Sequence, residues 1–476
     1  MAGKFTTGEV KVRPGSYFNM KSNNGIELLG TPSGIVACAF KANFGPLNKV
    51  VELNSISDIS DYFGDDSVAN SNTNTLEKIF MGGASVIKAV RVGTGGTCAA
   101  ITLKDTTTTD DTPIEVITLT QRYAGTRALS ITIKDSLSLT TQRECIIYSG
   151  TKELLKVTFD KGTDEVNSLV DAINAVNEGI VTATKLANGN GVLAALNQTS
   201  FTTAGVSPTI TSADYSTALS MLEAETFNVI CVDTNEASVH ALLKAFVERV
   251  NDAGLLCMGV VGEPTSVPLA TRKADAAGFN SPSMVYVLNG QIIGGETIEG
   301  YNAAALIAGL IARVPSNQAI THMTLGGSDI VGPLTTTQII ECLQSGAIVF
   351  TKSSTGAIQI EQGINTLVSL STDQDAGWKK IRRTKTRYEL IDRVQRNTEP
   401  LIGNLTNDEN GRTTILAIVV AIINDMVAEG KLISGTVEVD PSRAPSGDSA
   451  WFAISVYDLD SLEKLYFTYT FHYSDN

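Results

Sequence analysis

Side chains that could do chemistry are few and far apart in this chain. The three histidines, His240, His322 and His472, lie in three separate regions, whereas metal sites and catalytic triads bring such residues together. Acidic residues are dispersed, and no H-E-x-x-H, G-x-S-x-G or Walker A pattern occurs. The sequence therefore predicts no catalytic residue, no metal site and no enzyme, although an α/β sheet could host an active site.

One short segment fits a nucleotide-binding pattern. Residues 189–194, GNGVLA, match G-x-G-x-x-A, but that fingerprint needs a buried strand before it and a helix after it. The upstream IVTATKL is polar at alternate positions, and the downstream NQTSFTTAG would break a helix. We therefore predict a turn here and no bound cofactor.

Charge and composition exclude further classes. The formal net charge of −14 would repel nucleic acid and anionic membranes. The apolar runs at 303–312 and 415–423 are shorter than the roughly 18 to 20 residues of a membrane span, which predicts no direct membrane insertion. The six scattered cysteines, without a C-x-x-C pair, are typical of reduced thiols in a cytosolic fold.

The elements that would position any site follow a multidomain α/β and α+β pattern. From 227 onwards, buried strand patterns alternate with amphipathic helices such as 239–250, which predicts a mostly parallel sheet covered on both faces. The Thr-rich region between 94 and 207 contains several strand patterns and interrupts a βα connection. We interpret it as an inserted β-rich domain, because loop tips tolerate insertion.

The predicted domain boundaries follow from these changes in pattern. We expect an N-terminal extended arm, two parts of a parallel-type α/β domain separated by the inserted β-rich domain, and a C-terminal α+β domain that ends in a strand-forming arm. The corresponding ranges are 1–25, 26–93, 94–207, 208–334 and 335–476. In the last range, a helix that opens near Thr413 or Thr414 and closes at Gly430 is apolar all round and is predicted to be buried.

Both chain ends carry strand patterns. Val10 and Val12 share one face near the start, and the ending LYFTYTFHY places one set of large side chains on a single face: Leu465, Phe467, Tyr469, Phe471 and Tyr473. Chain ends are usually poorly ordered, so these strands need partners. The final strand could close the chain's own sheet, or it could pair with another molecule.

Several stretches resemble one protein family. PLIGNLTNDENGRTTILAIVVAIINDMVAEGKLISG at 400–435, EKLYFTYTF near the end, GEVKVRPGSYFNM at 8–20 and WKKIRRTKTRYELIDRV at 378–394 are similar to segments of contractile tail sheath proteins from phages and phage-like particles of Gram-positive bacteria. The similarity runs the length of the chain and is weakest in the inserted domain.

This resemblance implies a structural subunit. Hexameric rings would stack helically around a tail tube, and contraction would drive the tube through a cell envelope. It further implies arms that exchange strands with neighbouring subunits, for which the candidates are Val10, Val12, Tyr17, Leu465, Phe467, Tyr469 and Phe471. Expected partners are other copies of the chain, the tube protein, and baseplate and tail terminator proteins, with assembly in the host cytoplasm into a virion tail or a released tail-like particle.

A basic stretch adds one candidate surface. The cations Lys379, Lys380, Arg382, Arg383, Lys385 and Arg387 contrast with the acidic chain, and in the resembled family this domain lies next to the tube. They are therefore candidates to face an acidic tube. The alternative is a helix face that pairs with the protein's own carboxylates.

Two other functions stay open on the sequence. Another self-assembling shell or tube protein would share the strand-forming ends, and an α/β enzyme with an accessory β domain would share the central pattern. An image of purified particles would distinguish a sheath from another shell or tube protein. A substrate screen would distinguish a sheath from an enzyme.

Overall fold

A computed structural model describes residues 30–64, 70–107, 112–176 and 178–473, together with the backbone of 2–4 and 16–18. The chain forms two compact units. One contains Pro32–Tyr388 and Asp460–Asn476, and the other contains Met1–Thr31 and Glu389–Leu459. The larger unit thus continues past the boundary at 335 that the sequence predicted.

The strands and helices are numbered in chain order. The strands are β1 Ala2–Lys4, β2 Ser16–Phe18, β3 Ile35–Phe40, β4 Val50–Leu53, β5 Val86–Arg91, β6 Ala100–Lys104, β7 Glu115–Gln121, β8 Ser130–Asp135, β9 Gln142–Ser149, β10 Lys152–Asp160, β11 Val181–Lys185, β12 Leu196–Ser200, β13 Val229–Val232, β14 Met258–Gly262, β15 Met284–Val287, β16 Gly290–Ile293, β17 Glu296–Ile298, β18 Asp329–Val331, β19 Ala347–Ile348, β20 Phe350–Lys352, β21 Ile358–Ile360, β22 Leu432–Val439 and β23 Phe452–Asp458. The helices are α1 Ile56–Phe63, α2 Thr73–Gly82, α3 Glu165–Asn174, α4 Ser212–Leu222, α5 Ala237–Asp252, α6 Leu269–Phe279, α7 Tyr301–Arg313, α8 Thr336–Gln344, α9 Ile381–Thr398 and α10 Glu409–Ala428.

The larger unit is built on a seven-stranded sheet in the order β19-β15-β14-β13-β3-β5-β4. Every pairing is parallel except that of β4 with β5. Strands β13, β14 and β15 are buried along their whole length, as their continuous apolar sequences require when helices cover both faces. This confirms the prediction of a mixed α/β fold with several sheets.

Helices α2 and α7 cross closely on one face of this sheet. The middle of α7 is rich in alanine, and Ala303–Ala312 are all buried. A Cβ atom placed on Gly309 would lie 2.1 Å from the Ile79 carbonyl oxygen, and one on Gly82 would lie 2.2 Å from that of Leu306. The two glycines therefore allow the helix backbones to touch.

The inserted region has its own core. Its strands form two antiparallel sheets, β10-β9-β8-β12 and β11-β7-β6, around buried residues such as Leu119, Ile147 and Leu169. Where the chain leaves and re-enters the α/β part, Thr94 and Thr209 form a β-bridge. The Lys152 ammonium lies 2.6 Å from the Asp61 carboxylate, which links the insert to helix α1.

The smaller unit contains α10 and the antiparallel pair β22 and β23. Asp408 caps α10 by accepting a 2.8 Å hydrogen bond from the Gly411 amide, so the helix begins several residues before the predicted Thr413. Its core-facing residues pack with Leu390 and Leu432: Ile418, Val419, Ile422, Ile423 and Met426. The prediction that this helix is buried all round is wrong, because Val420 on the opposite side is 43% exposed.

In the described part of the chain, α10 alone is long and apolar enough to cross a membrane by length and composition. The apolar run at 415–423 lies within this longer helix, which residues on both sides of the run extend to Glu409–Ala428. The same helix supplies much of its unit's core. A helix in a protein core can have the same length and apolar composition as a membrane span. The absence of direct membrane insertion stays a prediction.

Candidate functional site

The C-terminal arm, defined here as Leu465–Tyr473, is exposed to solvent along its whole length. Its residues adopt no secondary structure, and the four predicted exchange residues on this arm, Leu465, Phe467, Tyr469 and Phe471, are between 64% and 83% exposed. Among the described residues the segment closes no sheet of its own chain, so the predicted strand has no pairing partner there. Exposing alternating aromatic side chains to water is unfavourable in free energy, and such exposed apolar patches are characteristic of interaction surfaces.

The N-terminal candidates can be placed only in part. Val10 and Val12 lie outside the described residues. Tyr17 is in β2, which pairs in parallel with β1 through Gly3. The predicted strand at 9–12 therefore stays a prediction, and the observed short pairing lies on either side of it.

The smaller unit offers a matching incomplete sheet. Within the described residues, β22 and β23 pair only with each other, so each has an open edge with unpaired backbone groups. Ile433 is 59% exposed and Tyr457 is 68% exposed on these strands. Two-stranded sheets are marginally stable by themselves, so the sheet is suited to accept additional strands.

The basic stretch has partners within its own chain. The Lys379 ammonium donates to the Val368 carbonyl at 2.9 Å, and that of Lys385 donates to the carbonyls of Ile311 and Val314 at the end of α7. Cations at a helix C-terminus meet the negative end of the helix dipole. These two lysines therefore stabilise the larger unit.

The remaining candidates follow the same pattern. Arg383 lies 3.3 Å from the Asp375 carboxylate, Lys380 lies 2.8 Å from Asp460, and Arg382 is buried. The Arg387 guanidinium stacks over the Trp378 ring at 4.0 Å. These contacts favour the alternative in which the stretch is a structural element, and a tube-facing role stays a prediction.

At the carboxyl edge of the parallel sheet, where α/β enzymes bind ligands, Asp233 follows β13. Its carboxylate accepts hydrogen bonds from the Tyr215 hydroxyl at 2.5 Å, the Asn72 amide at 2.9 Å and the Lys41 backbone N–H at 2.8 Å. Burial raises the pKa of Asp233. Because these partners belong to the fold itself, the group holds β3, α2 and α4 together.

The remaining motifs are structural as well. His240 is buried with its Nε2 2.8 Å from the Thr234 carbonyl oxygen, and burial lowers its pKa. In the GNGVLA segment, Gly189 and Gly191 have φ values of 54° and 81°, which confirms the predicted turn. No group of three or more His, Cys, Asp or Glu residues that could hold a metal occurs among the residues described.

Sequence reasoning missed two features of this region. It treated α10 as wholly buried, and it left out the polar residues that precede the C-terminal arm, above all Glu463. The pattern around 460–463, DSLE, alternates poorly and gave no signal. Only a contact between distant parts of the chain identifies its role.

Comparisons with known proteins agree on one family. A family model described as the phage tail sheath protein central domain matches residues 209–366. The phage-like element PBSX protein XkdK of Bacillus subtilis (strain 168) is 22% identical, with 98% of each chain covered.

Solved structures show the same fold. The crystal structure of the sheath tail protein from Desulfitobacterium hafniense gives a TM-score of 0.66 at 20% identity, covering 94% of this chain and 100% of that chain. The helical sheath of the anti-feeding prophage in the contracted state gives a TM-score of 0.53 at 11% identity, covering 97% and 99%.

Proposed function

We propose that this chain, a contractile tail sheath protein, forms stacked hexameric rings around a tail tube and contracts to drive the tube through a cell envelope. A structural sheath subunit agrees with the family match and with the sheath folds that resemble it. It is therefore a structural protein and not an enzyme. The observation that carries the finer proposal is the exposed C-terminal arm, which pairs with no strand in the described part of the chain.

The arm would join neighbouring subunits by strand addition. Backbone hydrogen bonds to an open sheet edge supply affinity, and pockets for alternate side chains supply register. Leu465, Phe467, Tyr469 and Phe471 share one face of the arm, and the open edges of β22 and β23 provide a place to pair. Val10, Val12 and Tyr17 would serve in the same way at the other end.

The length of the arms is compatible with contact between subunits. The nine residues of the C-terminal arm span up to ~30 Å when extended, and 25 N-terminal residues span up to ~80 Å, at about 3.3 Å per residue. Such linkers can persist as connections while globular bodies change their packing, which a contracting polymer requires.

The other partners are inferred from the family. We place the tail tube inside the polymer and baseplate and tail terminator proteins at its ends, with assembly in the host cytoplasm and release as part of a virion tail or tail-like particle. If any of the six cations from Lys379 to Arg387 approaches the tube, it does so while retaining its contacts within the chain.

The test is deletion of the arm in the full-length protein. A variant that ends at Lys464 should remain folded, with an unchanged circular dichroism spectrum, and should sediment as monomers or short oligomers, while the intact chain forms hollow cylinders in negative stain. Long cylinders from the truncated chain would contradict strand exchange. Closed shells from the intact chain would instead support another self-assembling shell protein.

A further inference from the structure

The segment just before the C-terminal arm changes from one compact unit to the other. Strand β23 ends at Asp458 in the smaller unit, where the Leu459 amide still donates to the Lys431 carbonyl at 3.1 Å. From Asp460 onwards the chain belongs to the unit that contains the parallel sheet. The arm therefore starts from the larger unit, although the strand that leads to it lies in the smaller one.

Glu463 makes the attachment. Its carboxylate accepts a hydrogen bond from the Thr321 hydroxyl at 3.0 Å and one from the Gln362 side-chain amide at 3.0 Å, and it lies 3.3 Å from the Lys380 ammonium. Its side chain is only 8% exposed. Burying a carboxylate is unfavourable unless it is paired and hydrogen-bonded, so these partners account for its position.

Two of the residues that contact Glu463 are themselves held by further contacts. Lys380 also lies 2.8 Å from the Asp460 carboxylate, and the Thr321 hydroxyl is itself oriented by a 3.0 Å hydrogen bond from the Gly363 amide. From Leu465 the chain is exposed to solvent. The boundary between the anchored and the exposed chain thus follows directly after Glu463.

We propose that Glu463 is a positioning residue for the C-terminal arm, and we call its contacts with Thr321, Gln362 and Lys380 the root clasp. The proposal rests on the arm joining subunits as described above. A closed clasp fixes the starting point of the arm on the larger unit, which lowers the conformational entropy lost when the arm docks on a neighbour.

An open clasp would change both the origin and the reach of the arm. The arm would then start at Leu459, and residues 460–463 would add up to ~13 Å of extended chain. A longer tether that starts from a different unit lowers the effective concentration of the arm at its binding site on the neighbouring subunit. Closure of the clasp therefore favours assembly.

The experiment compares Glu463→Ala, Glu463→Gln and a matched control, Lys464→Met, in the full-length chain. Lys464 is the exposed neighbour of Glu463, so its replacement alters charge next to the clasp without removing a clasp contact. The rotational mobility of a spin label attached through Leu462→Cys in the monomer reports closure, because this exposed side chain lies within the attached segment, and the elongation rate of preformed polymer seeds reports arm positioning.

Glu463→Ala should increase the mobility of the label at 462, since hydrogen bonds to a charged group are lost, and it should slow elongation several-fold. Glu463→Gln should recover most of the elongation rate, because its side-chain oxygen can still accept from Gln362 and Lys380 while its NH2 group donates to the Thr321 hydroxyl oxygen. The control should match the unaltered chain in both measurements.

Two results would overturn the proposal. Unchanged label mobility in Glu463→Ala would mean that there is no clasp, and greater mobility with unchanged or faster elongation would mean that the clasp does not position the arm. Deletion of the arm separates this failure from that of strand exchange. If the truncated chain still forms long cylinders, the proposed function fails, whereas if it does not, only the clasp fails.

Discussion

Replacing two aromatic residues of the C-terminal arm should weaken the polymer strongly while leaving the monomer intact. Phe467 and Phe471 lie on one face of the predicted strand and are 71% and 83% exposed. Full burial of such a side chain stabilises by about 1.5 to 3 kcal/mol, so burying these exposed fractions in a neighbour would contribute roughly 3 kcal/mol for the pair. The double variant Phe467→Ala/Phe471→Ala loses that contribution.

A loss of about 3 kcal/mol corresponds to an increase on the order of a hundredfold in the concentration needed for assembly. Sedimentation over a concentration series measures this threshold, and thermal unfolding of the monomer should change little because the two rings are exposed in the isolated chain. The matched control is Thr468→Ala/Thr470→Ala, which alters the opposite face of the same strand and should shift the threshold only slightly. Equal thresholds for the two double variants would refute the one-sided insertion of the arm.

Two further predictions concern the larger unit. Gly309→Ala should lower its stability by about 1 to 3 kcal/mol, since the new methyl group would collide with the Ile79 carbonyl, whereas Gly278→Ala, where a Cβ meets nothing within 4 Å, should be neutral or stabilising in thermal unfolding. The Thr107 hydroxyl, followed by backbone amides of the neighbouring loops, lowers the pKa of Asp105 to about 2. The pKa of Asp105 in the folded chain lies below the value of about 3.9 for an unfolded chain. The ionised carboxylate therefore stabilises the fold at pH values above about 3.9, and this stabilisation is lost as the pH falls towards 2. Asp105→Asn should therefore flatten the decline of the thermal midpoint over that range, and an unaltered acid profile would argue against this role.

Local patterns in the sequence determined much of the fold. The continuous apolar runs of β13, β14 and β15 predicted buried parallel strands, because only a sheet covered on both faces buries every side chain of a strand. The amphipathic pattern at 239–250 predicted α5, and the strand patterns in the Thr-rich region between 94 and 207 predicted strands such as β7 to β10. These features depend on neighbouring residues, which periodicity reports directly.

The arm and its surroundings depended on contacts between distant residues. The alternation in LYFTYTFHY indicated a strand, but only the tertiary structure shows that segment exposed, without a strand partner among the described residues, and places Glu463 against Thr321 and Gln362. Likewise, the apolar sequence of α10 could not distinguish a helix buried all round from one with Val420 exposed, because hydrophobicity does not state whether the covering surface belongs to the same molecule. The charges of Lys379 to Arg387 suggested an external partner, and the fold supplied internal ones, such as the α7 carboxyl end for Lys385. Composition and periodicity therefore indicated many of the strands and helices, whereas the pairing of each surface was decided by chain segments up to more than a hundred residues away.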